Sequence, residues 1–170
     1  RRVVPRVGMQ DGSARGMGSA AEFAADKLRA FDERPELSLG RPPRELAARS
    51  EAFAPHPLVF VCPPGHELLR VGHPPVAALG PFPFIVREQG SGTRNAMESF
   101  FAEHRFEPRI TMEMGSNETI KQAVMAGMGI SLLSMHTLPL ELKTSDICIL
   151  DVVGTPIERT WYVVHMNSKR

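Results

Sequence analysis

Little in this sequence points to covalent or metal chemistry. There are two cysteines, Cys62 and Cys148, and neither has the CxxC partner that a redox motif or a thiolate metal site requires. Both sit inside apolar runs, Leu58-Val59-Phe60-Val61-Cys62 and Ile147-Cys148-Ile149-Leu150, where a free thiol behaves as a small hydrophobe. His56, His66, His73, His104, His136 and His165 show no HExxH or other ligand spacing, so no metal site is expected. A GxSxG nucleophile elbow is missing too. Glu88 and Glu118 could serve as acid and base in principle, but solvation at a helix start is the ordinary fate of such carboxylates. No catalytic residue, enzyme activity or cofactor is therefore expected. No apolar run approaches the roughly 18 residues of a membrane span, and no long apolar segment follows Arg1-Arg2 as it would in a secretion leader. Reduced thiols without such a leader fit a cytoplasmic protein. Charge excess is also lacking: 20 basic residues face 19 acidic ones, for a net +1. That balance argues against a broad nucleic-acid surface. A small anion, which needs only one or two local cations, remains compatible with it.

What is present is patterned. At 170 residues and 42% hydrophobic the chain is large enough for one ordinary domain or two small lobes. Residues 1–18 carry four Arg and four Gly, a composition expected to stay disordered. Phe23, Lys27, Leu28 and Phe31 recur at helical spacing, so a helix capped by Ser19 is expected over 19–34. Leu37-Ser38-Leu39 is a short strand, and Leu58 to Cys62 reads as a strand covered on both faces. The Pro- and Gly-rich residues 70–83 read as a connection. Phe84-Ile85-Val86, Ile110 to Met114, Ile130 to Leu133, Ile147 to Val152 and Trp161 to Val164 are further strands.

Two helices separate the strands after residue 84. One follows Gly90-Ser91-Gly92-Thr93 and turns Ala96, Met97, Phe100 and Phe101 inward, with Arg94 and Glu98 paired on its outer side. The other is capped by Ser116-Asn117 and turns Ile120, Ala123, Val124, Met125 and Met128 inward. The order β-α-β-α-β over residues 84–133 predicts a parallel sheet.

In such a sheet ligands bind beyond the carboxyl ends of the strands. Two junctions face that edge: Arg87-Glu88-Gln89-Gly90-Ser91-Gly92-Thr93-Arg94 and Gly115-Ser116-Asn117-Glu118-Thr119. Each brings small residues, hydroxyl or amide side chains and the free N–H groups of a helix start, which attract carboxylate or phosphate. Arg87 and Arg94 could add charge-assisted bonds. The first junction is neither a phosphate loop nor a dinucleotide fingerprint, since Asn95 stands where a third Gly would be. Each junction taken singly is also the composition of a plain capped turn.

Residues 37–169 resemble the effector-binding domain of LysR-type transcriptional regulators, and within that family most resemble the regulators of carbon-dioxide-fixation (RuBisCO, Calvin cycle) operons. The resemblance is carried by Leu39-Gly40-Arg41-Pro42-Pro43, His56-Pro57-Leu58-Val59-Phe60, Pro64-Gly65-His66, the two junctions with their flanks, Gly127-Met128-Gly129-Ile130-Ser131-Leu132-Leu133-Ser134 and Arg159-Thr160-Trp161-Tyr162-Val163-Val164. It implies a type 2 periplasmic-binding-protein-like α/β fold: one complete α/β lobe, a parallel sheet with flanking helices, plus an incomplete first lobe.

The division it implies is an atypical segment over 1–36, a remnant of lobe I and crossover over 37–80, lobe II over 81–158 and a return strand over 159–170. Arg87, Gly90, Ser91, Gly92, Thr93 and Asn117 would line the second-lobe wall of the cleft by family position. Arg94, Ser116 and Thr119 join them from the reading of the junctions. The implied partners are a small anionic effector, of sugar-phosphate or nicotinamide-nucleotide class, and further copies of the chain in a dimer or tetramer. DNA would be bound only through an N-terminal helix-turn-helix that these 170 residues do not contain. The family's opening strand, its Ser/Thr-bearing loop and the following helix have no counterpart in residues 1–35, so the facing wall is expected to be missing. The competing readings are a solute receptor of a transport system, which shares the fold, and a small transferase acting on a phosphorylated substrate.

Overall fold

The computed structural model describes residues 36–39 and 48–166, with side chains from 51 to 163. The helix expected over 19–34 and the disorder expected over 1–18 lie outside the described residues. The chain divides into two compact units, one of residues 57–158 and one containing the flanking segments up to His56 and from Arg159.

The larger unit is built on the apolar run read above. Strand β3 (Leu58–Cys62) is buried at every position and runs antiparallel between β6 (Ser131–Ser134) and β7 (Cys148–Leu150). Strand β4 (Pro83–Arg87) pairs in parallel with β5 (Arg109–Met114). Ile130, just ahead of β6, bridges β4 in parallel, bonding through Ile85 N–H to its carbonyl and through its own N–H to Pro83 O, each at 2.9 Å. The parallel sheet expected over 84–133 thus holds from β5 through β4 to Ile130, and the sheetwork around β3 is antiparallel. Of residues 37–80, read from sequence as a remnant of lobe I and crossover, those from Pro57 on lie in the larger unit, where β3 is hydrogen-bonded to β6 and β7.

Successive side chains on a strand point to opposite faces, and here both faces are covered. Leu58, Phe60, Cys62, Phe84 and Val86 pack with Ala96, Met97, Phe100 and Phe101 of α1 (Gly92–Glu103). Val59, Val61 and Ile85 pack with Ile120, Ala123 and Val124 of α2 (Asn117–Met125). Phe84 meets Phe101 edge-to-face at 5.4 Å and Phe60 lies 5.8 Å from Phe101, a geometry that favours ring edges against ring faces in the first pair. Met128, expected inward, is half exposed: it lies beyond the end of α2, after Gly127 has taken the left-handed conformation at φ +75° that stops the helix.

Helix α3 (Pro139–Thr144) starts with proline. It is tied to α2 by the buried Lys121 ammonium, which bonds Glu141 at 2.8 Å, Glu118 at 2.9 Å and the Thr137 carbonyl at 3.0 Å. Burial pulls the Lys121 pKa down, but the hydrogen bonds it donates to Glu141 and Glu118 outweigh this and the net shift is upward.

The other unit shows three antiparallel strands in the order β1-β8-β2: β1 (Glu36–Leu39), β8 (Thr160–Met166) and β2 (Ala48–Pro55). Strand β2 carries Ala48, Ala52 and Ala54 beside Arg49, Ser50 and Glu51, a weak strand signal that sequence reasoning passed over. Trp161 of β8 donates its indole N–H to His56 Nδ1, their rings meeting edge-on.

Candidate functional site

Because β4 and β5 run in parallel, with Arg87 opposite Met114, their carboxyl ends finish side by side. Each strand then feeds a helix: β4 passes through residues 88–91 into α1, and β5 through Gly115 and Ser116 into α2. Gly90 makes the first turn possible. Its φ of +85° lies in the left-handed region, open to glycine and strained for L side chains. Both junctions named from the sequence therefore stand on one edge of the sheet.

The helix starts are rich in unmet hydrogen-bonding capacity. In α1 the first backbone bond is Asn95 N–H to Ser91 O, and in α2 it is Ile120 N–H to Ser116 O, at 2.9 and 3.1 Å. The N–H groups of Gly92, Thr93 and Arg94, and of Asn117, Glu118 and Thr119, have no acceptor among the described residues. Ser91 and Ser116 hold the N-cap positions with extended backbone, yet neither hydroxyl makes a cap bond. The cap expected of Ser116 is therefore positional, and its hydroxyl is not used by the helix. Ser91, Gly92, Thr93 and Asn117 are half-buried; Gly90, Ser116 and Thr119 are exposed. No acidic residue stands in the first turn of α1, so nothing within that turn offsets the positive end of its dipole. Glu118, in the first turn of α2, is engaged with Lys121.

Arg87 and Asn117 join the two junctions. The Arg87 guanidinium donates from Nη1 to Asn117 Oδ1 at 2.8 Å across 30 residues of sequence. It also forks onto the neighbouring Glu88 carboxylate, Nε to Oε2 at 2.7 Å and Nη2 to Oε1 at 2.8 Å. The Glu88 carboxyl is consequently held below its ordinary pKa, first by these bonds. Sequence reasoning treated Glu88 as a solvated helix-start carboxylate; its engagement with Arg87 was not foreseen. The adjacency of an Arg and a Glu at a strand end was the available signal.

Arg94 has a different place from the one expected. It does pair with Glu98, at 2.5 Å, but its side chain is only 8% exposed and does not lie on the outer face of α1. Its Nη1 donates to the Arg87 carbonyl at 3.1 Å and lies 3.5 Å from Glu113 on β5. The side chain ties the first turn of α1 to the ends of β4 and β5.

Burial, with a smaller contribution from Cys148 opposite, pushes the Cys62 thiol up to about 12, which leaves almost no thiolate at neutral pH. Among the described residues no three His, Cys, Asp or Glu side chains are grouped as a metal ion would need. No helix among them is long and apolar enough to cross a membrane.

Residues 36–170 match the LysR substrate binding domain, and the chain belongs to that family. Its fold is the type 2 periplasmic-binding-protein-like fold of LysR effector-binding domains. The chain is similar to the HTH-type transcriptional regulator CfxR of Cupriavidus necator, 58% identical over 132 residues, which are 78% of this chain and 42% of the relative. It is 46% identical over 132 residues to a RuBisCO operon transcriptional regulator of Allochromatium vinosum, covering 78% of this chain and 44% of that protein. Among solved structures it resembles the CcmR regulatory domain of Synechocystis in complex with 2-PG, with a TM-score of 0.74 and 38% identity over 86% of this chain and 70% of that one. The chain spans under half the length of the curated relatives named here.

Proposed function

We propose that this chain is the effector-sensing part of a transcriptional regulator of the carbon-fixation type. In this reading a small phosphorylated or otherwise anionic metabolite binds across the starts of α1 and α2. The observation that carries the reading is the Arg87–Asn117 bond, which sets one cation between two helix starts whose leading N–H groups have no acceptor among the described residues. Arg87 supplies charge-assisted bonds, the N–H groups of residues 92–94 and 117–119 supply directed donors, and the unused hydroxyls of Ser91, Thr93 and Ser116 accept or donate as the ligand requires. Thr119 stands at the rim, and Arg94 shapes the site through the backbone of Arg87. The 2-PG (2-phosphoglycolate) held by the Synechocystis domain has the size and charge such a site suits.

Binding would favour one of two arrangements of the intact regulator and so couple the metabolite to DNA grip. DNA contact would belong to a helix-turn-helix outside these residues, in a cytoplasmic homo-oligomer, and this part of the protein would have no reaction to catalyse. Titration calorimetry of this chain with 2-phosphoglycolate, alone and as Arg87→Ala and Thr93→Ala, tests the reading. Saturable binding that weakens by about tenfold on loss of Arg87 is expected, as for one charge-assisted pair. Equal binding by all three proteins would remove the site from this edge.

A further inference from the structure

We infer that Glu88 is a built-in counter-anion that occupies the Arg87 guanidinium in the ligand-free site, so that an effector must displace it to bind. The inference deepens the proposed function and rests on it. Glu88 covers the Nε–Nη2 edge of Arg87 with both carboxylate oxygens, and that two-donor edge is the one a carboxylate or phosphate engages most strongly. A third donor is held by Asn117, leaving two of the five guanidinium N–H groups without a partner among the described residues.

Apart from a bond with its own backbone, Glu88 pairs among the described residues only with Arg87, and its side chain is 41% exposed, so it can swing into water when a stronger anion arrives. Asn117 behaves differently, since its bond to Arg87 is neutral on one side and does not compete in charge. The consequence is selectivity. A doubly charged phosphate ester outcompetes one carboxylate for the guanidinium, whereas a singly charged metabolite meets an internal rival of equal charge one residue away. The lowered Glu88 pKa means that the rival stays ionised throughout the neutral range.

The test is calorimetry of the full chain with two probes, 2-phosphoglycolate and acetate, on wild type, Glu88→Gln, Glu88→Asp and Arg87→Ala. Gln keeps the shape and removes the charge. It is expected to tighten 2-phosphoglycolate about fivefold, the worth of one exposed ion pair, and to tighten acetate at least as much. Asp keeps the charge on a shorter arm and is expected to fall between the two. Circular dichroism and urea midpoints confirm that each variant folds. If wild type binds and needs Arg87, but Glu88→Gln binds no better or worse, Glu88 is a positioning group and the counter-anion inference is overturned while the proposed site stands. If no protein binds either probe, both are overturned.

Discussion

Replacing Arg94 by Met separates a brace from a ligand. The guanidinium makes one bond to a backbone carbonyl, Arg87 O at 3.1 Å, and pairs with Glu98 and Glu113, whose side chains are 54% and 48% exposed. Water takes over the solvation of both carboxylates when the cation goes, so the two pairs together are worth about 0.5–1 kcal/mol. The bond to the carbonyl adds about 1 kcal/mol. Methionine keeps most of the apolar stem in place, which brings the expected loss to roughly 1.5–2 kcal/mol, and Arg94→Ala should lose about 1 kcal/mol more through packing. Urea unfolding followed by far-UV circular dichroism reads this as a lower midpoint at unchanged slope. Affinity for 2-phosphoglycolate should change less than about threefold, far less than on loss of a charge-assisted bond. An Arg94→Met protein as stable as wild type that no longer binds would refute the brace and make Arg94 a direct ligand.

Other perturbations probe the scaffold. A Cβ on Gly129 would sit 2.6 Å from Pro83 O and 3.2 Å from Ile85 Cγ1, so Gly129→Ala should loosen the Ile130 bridge to β4 and cost about 2–3 kcal/mol in urea unfolding. Lys121→Met strands the Glu141 carboxylate, 10% exposed, and should cost about 3 kcal/mol, most of it recovered in the Lys121→Met/Glu141→Gln double variant. The Lys121 contribution has a definite pH sign. Its folded pKa is raised above the ordinary 10.5, so the contribution is complete below 10.5 and disappears only as pH rises through the folded value. The gap between wild type and Lys121→Met should therefore be equal at pH 7 and pH 9. Native protein should leave Cys62 unlabelled by Ellman's reagent at pH 8, because the thiol is fully buried and pushed up to about 12; labelling before unfolding would contradict its burial.

The sequence was most legible where one physical signal dominated. Five consecutive apolar residues with β-branched and aromatic members suit a strand buried on both faces, and Leu58–Cys62 is one. The apolar stripe after Gly92 placed Met97, Phe100 and Phe101 inward, where they are. Gly90 and the two N-cap serines marked where the turn and the helix starts fall, since turn chemistry is local. Partnerships across distance were not legible. That Arg87 would reach Asn117 but also fork onto Glu88, and that Arg94 would turn beneath the helix toward the Arg87 carbonyl, depends on the β4–β5 register. Helical spacing alone offered Arg94 only Glu98, and placed that pair on the wrong face. The antiparallel pairing of β3 was hidden for the same reason: a run that is apolar on both faces carries no sign of its neighbours' direction.

The site itself is tested most directly by following backbone amides in a two-dimensional nitrogen–proton correlation spectrum during titration with 2-phosphoglycolate. A ligand seated on the two helix starts should move the amides of Gly92, Thr93, Arg94, Asn117, Glu118 and Thr119 downfield in a single saturable process, with the Arg87 Nε–H resonance moving in step as Glu88 is displaced. Shifts that saturate elsewhere in the chain while these six amides stay still would contradict an anion site at this edge.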